Sequence, residues 1–154
     1  MGMRIQLRDV TEHNWEEVVE LEVFDDQDDF LPSNAYSLAE SKYDPHAIPK
    51  AIYNGKKLIG FLMYESLAYC GERGSYSLYR FMIDRKHQRK GYGRAAVQAL
   101  VDLIRKQDRS VRRITVCYEP ENIGSKTMFG KFGFKEIGLD EDNEMIAEWF
   151  YEQT

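Results

Sequence analysis

One stretch dictates most of what this chain can become. An apolar run over residues 78–83 leads into the basic loop Gln88-Arg89-Lys90-Gly91-Tyr92-Gly93-Arg94, and a periodic helical segment follows. Val97, Leu100, Val101 and Ile104 stand at i, i+3, i+4 and i+7, which is one apolar helical face. Strand, tight turn and helix therefore follow one another here. Two glycines one residue apart permit the turn and let a ligand approach the backbone with no Cβ in the way. The first N–H groups of the helix have no intrahelical partner. Those donors, the helix dipole and the side chains of Arg89, Lys90 and Arg94 favour an anion, most simply a phosphate or diphosphate. A plain basic helix start would carry similar letters. Gly91-x-Gly93-x-x-Ala96 also fits a dinucleotide fingerprint. Against it, residues 84–90 separate strand from glycine, and the acidic residue wanted about twenty positions on is replaced by Val111-Arg112-Arg113.

The rest of the chain reads as one α+β domain over residues 1–154. Residues 4–8 alternate polar and apolar, as a half-buried strand does. Asn14 and Glu17 form a capping box ahead of a helix with Trp15, Val18, Val19 and Leu21 inward. An acidic connection follows, holding Asp25, Asp26, Asp28 and Asp29. Ser33 or Asn34 caps a second helix to residue 41. Residues 49–53 and 57–64 flank Asn54-Gly55, a two-residue hairpin turn. Further strands are expected over 75–84, 112–118, 134–139 and 144–151, and a short helix over 122–131 with Met128 and Phe129 inward. The order is β-α-α-β-β-β-α-β-α-β-β, a mixed central sheet flanked by about four helices.

Bulk properties narrow the function. A net charge of −5 argues against general nucleic-acid binding. No apolar run approaches the ~20 residues of a membrane span. The N-terminus shows no signal-peptide core, and Gln6 breaks the myristoylation pattern. Cys70 and Cys117 lack metal-ligand spacing and read as reduced core residues of a cytoplasmic protein. His13, His46 and His87 show no metal or triad pattern, and no metal is expected. Trp149, Phe150 and Tyr151 are compatible with a homodimer surface or with covering the sheet.

This order and two of its motifs resemble the GNAT superfamily of N-acetyltransferases. The first is the acetyl-CoA diphosphate loop Arg/Gln-x-x-Gly-x-Gly/Ala, here Gln88 to Gly93. The second is Asn-x-x-Ala-x-x-x-Tyr-x-x-x-Gly-Phe, here running from Asn122 through Ser125, Phe129 and Gly133 to Phe134. The resemblance implies that Phe81, Met82 and Ile83 lie where the central strand splays from its neighbour. The amide of Met82 or its neighbour would face the thioester oxygen, an oxyanion-hole role. Residues 88–94 would hold the diphosphate, and Asn122, Ser125, Lys126 and Phe129 the coenzyme's other side. The family often has a tyrosine at Phe129 that protonates the departing CoA thiolate. Tyr118, Tyr79, Tyr92 or a water is expected to substitute, unless the chain binds coenzyme and amine without turnover.

The first third resembles bacterial diamine/spermidine/spermine acetyltransferases, through residues 26–31, 34–40, 51–53 and 60–64. The implied acceptor is a small-molecule polyamine or diamine, with Glu22, Asp26, Gln27, Asp29, Glu40, Glu65 and Tyr79 as candidate contacts. Related enzymes can carry a glutamate where this chain has Tyr79. A protein N-terminus, an antibiotic amine or an amino acid are the other acceptors to consider. A primary ammonium has a pKa near 10.4, so only ~1 in 10³ is neutral at pH 7 and a base is needed. Glu65, Glu22, Glu40 and Glu119 are the candidates.

Overall fold

The computed structural model describes residues 3–24 and 32–152. Its strands are β1 (Ile5–Asp9), β2 (Ile48–Asn54), β3 (Lys57–Ser66), β4 (Ser75–Ile83), β5 (Arg113–Tyr118), β6 (Lys135–Leu139) and β7 (Met145–Phe150). The helices among the described residues are α1 (Trp15–Glu20), α2 (Asn34–Tyr43), α3 (Tyr92–Gln107) and α4 (Ile123–Phe132). One sheet runs β1-β2-β3-β4-β5-β7-β6. Every neighbouring pair is antiparallel except β4 and β5, so the sheet is mixed, as the element order implies.

Side-chain alternation divides the core in two. Ala96, Val97, Leu100, Val101 and Ile104 of α3 are buried. They pack with Ile52, Leu62, Leu78, Ile114 and Val116 of the sheet. On the other face, Val18 of α1 and Leu38 of α2 join Ala51, Phe61, Met63 and Met82. Tyr151 donates its hydroxyl proton to the Val101 carbonyl at 2.7 Å, and Trp149 packs on Phe132 and Phe134. These two aromatics cover the sheet, whereas Phe150 is exposed.

Several local expectations shift. Asn14 makes no side-chain cap. Its Oδ1 accepts from the Thr11 N–H at 2.7 Å, and its Nδ2 donates to the Asp9 carbonyl and the Tyr53 hydroxyl at 3.1 Å each. With the cap diverted, α1 is short, and Trp15 is exposed rather than inward. Ser33 caps α2 by accepting from the Tyr36 N–H. Asn34 instead donates to the Val18 carbonyl at 2.9 Å, docking α2 on α1. In the hairpin, Asn54 pairs with Lys57, so the turn is Gly55-Lys56, one residue later than expected, with Gly55 at φ +63°. The Asn54 side chain is used elsewhere: it accepts from the Arg4 N–H and donates to the Tyr92 hydroxyl. Cys70 is exposed in a turn, not in the core, and Cys117 is half-buried on β5; both are free thiols.

The feature that positions the site is in β4. Met63 pairs with Arg80 and Tyr64 with Leu78, leaving Tyr79 as the extra residue of a β-bulge. Pairing of β4 with β5 ends at the same place, with Leu78 opposite Val116. Beyond it β4 stays on β3 as far as Ile83, while β5 continues along β7 to Tyr118. The sheet is therefore open between residues 79–83 and the end of β5. Among the described residues no helix is long and apolar enough to cross a membrane.

Candidate active site

The glycine loop closes one end of this opening. Arg89 and Gly91 both have left-handed φ, +63° and +82°. Such residues turn neighbouring N–H groups to one side, forming an anion-binding concavity. Gly91 precedes α3 with no side-chain cap. The Ala95 N–H bonds back to the Gly91 carbonyl, so the N–H groups of Tyr92, Gly93 and Arg94 precede the first intrahelical bond. The two glycines differ in purpose. Gly91 is required by its φ. Gly93 has no left-handed φ, and a Cβ there would meet nothing nearer than 3.8 Å. Neither conformation nor packing needs a glycine at 93. Gln88 donates from Nε2 to the Ile83 carbonyl at 2.9 Å, tying the loop to the end of β4. A cavity of about 360 Å³ is lined by Gln88, Arg89, Gly91, Gly93 and Arg94 together with Phe81, Met82 and Ile83. Lys90 is exposed outside it, and the Tyr92 hydroxyl is held by Asn54.

Strand register decides which backbone groups of residues 81–83 face the opening. The Asp84 N–H donates to the Ile59 carbonyl at 2.8 Å, and pairing is regular from Ile83 back to Phe81. Backbone groups alternate sides along an antiparallel strand. The backbone of Met82 therefore also faces β3, and its neighbours Phe81 and Ile83 face the opening. A second cavity, about 470 Å³, lies on the other side of the gap. The two share Phe81, Asn122 and Ser125 as lining residues, so they meet at the split. Asn122 is also a helix cap: its Oδ1 accepts from the Ser125 N–H at 3.2 Å. Lys126 lines neither cavity and lies 3.7 Å from Glu136. Phe129 is buried in the wall of the larger cavity, edge-on to Phe81 and parallel to Tyr118.

The larger cavity gathers the titratable groups. The Tyr118 hydroxyl donates to Glu136 at 3.0 Å; burial and then that bond push its pKa up to about 12. Glu119 lines the same wall. Glu144, which sequence reasoning missed, lies there too. Burial first, then Asp140, Glu119 and Asp142, hold its carboxyl above the usual range, with Arg80 opposing. The signal for Glu144 is long-range, because only β7 pairing along β5 brings residues 117–119 and 144 together. Burial also pushes the Cys117 thiol up to about 11.

Other candidates are placed differently. Glu22 lies outside both cavities: its carboxylate is 3.3 Å from Arg85, and its N–H donates to Asp84 at 2.9 Å. Glu65, also outside, accepts from the Tyr69 hydroxyl at 2.6 Å. Tyr79 lines the larger cavity, its hydroxyl pKa raised by burial, then by Glu65, Glu40 and Asp44. Glu40 contacts Arg80 at 3.4 Å. Asp26, Gln27 and Asp29 fall outside the described residues. Arg80 was missed, although a lone cation inside the apolar run 78–83 is a legible sign.

A sheet unzipped at a bulge, with free helix amides beside the gap, makes a cleft suited to a ligand with an anionic group. The chain belongs to the acetyltransferase (GNAT) family, whose pattern matches residues 7–134. A spermine/spermidine N(1)-acetyltransferase of Bacillus subtilis (strain 168) is 28% identical over 152 residues, covering 95% of this chain and 99% of that protein. Among solved structures, the aminoglycoside acetyltransferase AAC(6')-Ib in complex with coenzyme A matches with TM-score 0.77 and 20% identity, over 96% of this chain and 95% of that one. The PaiA N-acetyltransferase of Thermoplasma acidophilum, also with coenzyme A, gives TM-score 0.73 and 16% identity, over 97% of this chain and 100% of that one. At such identities the structures share the fold alone. The chain is an acetyl-CoA-dependent N-acetyltransferase.

Proposed function

We propose that this enzyme acetylates a primary amine of a polyamine or diamine, the amine attacking the thioester directly. The observation that carries the reading is the opening beyond Leu78, where the two cavities meet at Phe81, Asn122 and Ser125. Free amides of residues 92–94, with Arg89 and Arg94, hold the coenzyme diphosphate. The open edge of Phe81 and Ile83 pairs with the pantetheine arm, and the Phe81 amide faces the acyl oxygen as charge develops there. The amine arrives through the larger cavity. Glu119 or Glu144 takes its proton, and the raised pKa of Glu144 strengthens it as a base. The nitrogen bonds to the acyl carbon, the C–S bond breaks, and the sulfur leaves with the electron pair.

No protein acid is assigned to that sulfur. Phe129 has no proton to give, and Glu136 holds the proton of Tyr118. An ordinary thiol has a pKa of about 8.5, so the thiolate is a tolerable leaving group near neutral pH. Polyamine acceptors are supported by the name of the 28% identical relative and by the carboxylates Glu119, Asp142 and Glu144 along the cavity. A flexible polycation would be concentrated there. Thiol release is followed with acetyl-CoA and spermine, spermidine, putrescine, an aminoglycoside or a peptide N-terminus. Preferred turnover of the first three is expected. Preference for the aminoglycoside or the peptide would reject the polyamine assignment, and release with no amine would reject this mechanism.

A further inference from the structure

Two departures from the family pattern fall on one helix. Ser125 stands where the pattern Asn-x-x-Ala-x-x-x-Tyr has alanine, and Phe129 where it has tyrosine. One hydroxyl is lost and another gained. The two residues are four apart on α4, hence neighbours on one face, and both line the larger cavity. Ser125 lines the smaller cavity as well. With coenzyme in the smaller cavity and the amine entering through the larger, the C–S bond that breaks lies where they meet. Phe81, Asn122 and Ser125 are common to both cavities, and of these Ser125 alone carries a hydroxyl. A helical serine often turns its hydroxyl back to a carbonyl of the preceding turn. Ser125 Oγ bonds to no described residue, while the Ser125 N–H is held by Asn122. The hydroxyl is therefore free to meet a ligand. Ser125 also lies in the first turn of α4, where the helix dipole favours negative charge.

Negative charge develops on the sulfur as it departs. We infer that Ser125 is a catalytic residue: its O–H donates a hydrogen bond to the coenzyme sulfur as the C–S bond breaks, a task for which Phe129 has no hydroxyl. The inference rests on the proposed direct attack. Serine keeps its proton throughout, so it is a hydrogen-bond donor and not an acid. The sulfur leaves as thiolate with the electron pair of the C–S bond and is protonated afterwards from water. The attacking nitrogen forms the amide bond and releases its excess proton to water. No further reactant is needed.

Two readouts test it in the wild type, Ser125→Ala and Ser125→Thr. The first is the thiol pKa of bound coenzyme A, followed by thiolate ultraviolet absorbance. Subtracting the desulfo-coenzyme A complex removes the free thiols Cys70 and Cys117. A donor to the thiolate favours the charged form. Ser125→Ala should therefore raise this pKa by about one unit or more, and Ser125→Thr, which keeps the hydroxyl, should not. The second is the single-turnover rate of acetyl transfer. Ser125→Ala should lower it roughly tenfold or more, as for a lost hydrogen bond to a charged group. Affinity for coenzyme A at about pH 6, where the sulfur is protonated, should not change. Alanine is the family's own letter at 125 and a good helix former, so this variant folds. A thiol pKa equal in wild type and Ser125→Ala overturns the inference, as when Asn122 is the donor, and so does an unchanged single-turnover rate. If no amine is acetylated, the proposed function fails, while the thiol titration still decides the role of Ser125.

Discussion

The two glycines of the loop should fail in different ways when given side chains. Gly93→Val sets a Cβ in ordinary van der Waals contact with Met128 and Phe81, both at 3.8 Å, and φ there is ordinary. Valine is a slightly better helix former than glycine, by a few tenths of a kcal/mol. The melting temperature without ligand should stay within about 2 °C. Coenzyme binding should not survive as well. The added methyls cover the amides of residues 92–94, and losing one hydrogen bond to a charged group costs about 1.5–3 kcal/mol. That is a Kd weaker by about 10- to 150-fold. Gly93→Ala should fall between, since the family pattern admits alanine. Gly91→Ala should behave in the opposite sense. A left-handed φ of +82° costs an L-residue about 1–2 kcal/mol. That lowers the melting temperature by about 2–8 °C. Differential scanning calorimetry and titration of coenzyme A read both effects. Unchanged affinity in Gly93→Val, or a collapse of its melting temperature without ligand, would refute the division of labour.

Tyr118→Phe should lower kcat less than tenfold while removing about 1–2 kcal/mol of stability with the Glu136 bond; a loss of ~10²-fold would restore Tyr118 as a general acid. Glu144→Gln should lower kcat/KM by about 10²-fold if that carboxylate takes the proton, whereas an unaffected rate would leave Glu119 as the base. The same variant has a signature in stability. The raised Glu144 pKa means the folded state holds that proton more tightly than the unfolded one. Its stabilising contribution is therefore present below the usual carboxylate pKa and lost as pH rises through the raised value. Urea midpoints between about pH 4 and pH 7 should fall less steeply with pH in Glu144→Gln than in the wild type.

Much of the fold was legible because local signals and tertiary packing agree. The apolar face of α3 is spaced for burial and is buried. The loop before it reads as an anion site, and its amides are free of helix bonds. Misreadings arise where one side chain had several uses. Asn14 has cap chemistry, but the Thr11 amide, the Asp9 carbonyl and the Tyr53 hydroxyl claim it. Asn54-Gly55 announces a turn, but pairing of Asn54 with Lys57 sets it one residue on. The acceptor side was least legible. A bulge has no letter pattern of its own, so nothing in residues 78–83 says that Tyr79 is the extra residue. Glu144 reaches the cavity only through pairing of β7 with β5, which no local window contains.

The bulge at Tyr79 also leaves one strand zipped on one side and bare on the other. Amide hydrogen exchange should record this as a pattern that alternates residue by residue within β4. Met82 and Asp84, turned toward β3, should exchange slowly at all times. Phe81 and Ile83, turned toward the gap, should exchange quickly until coenzyme A supplies what a neighbouring strand elsewhere would. A ligand that slowed only every second amide would thus be acting as the missing eighth strand of a seven-stranded sheet.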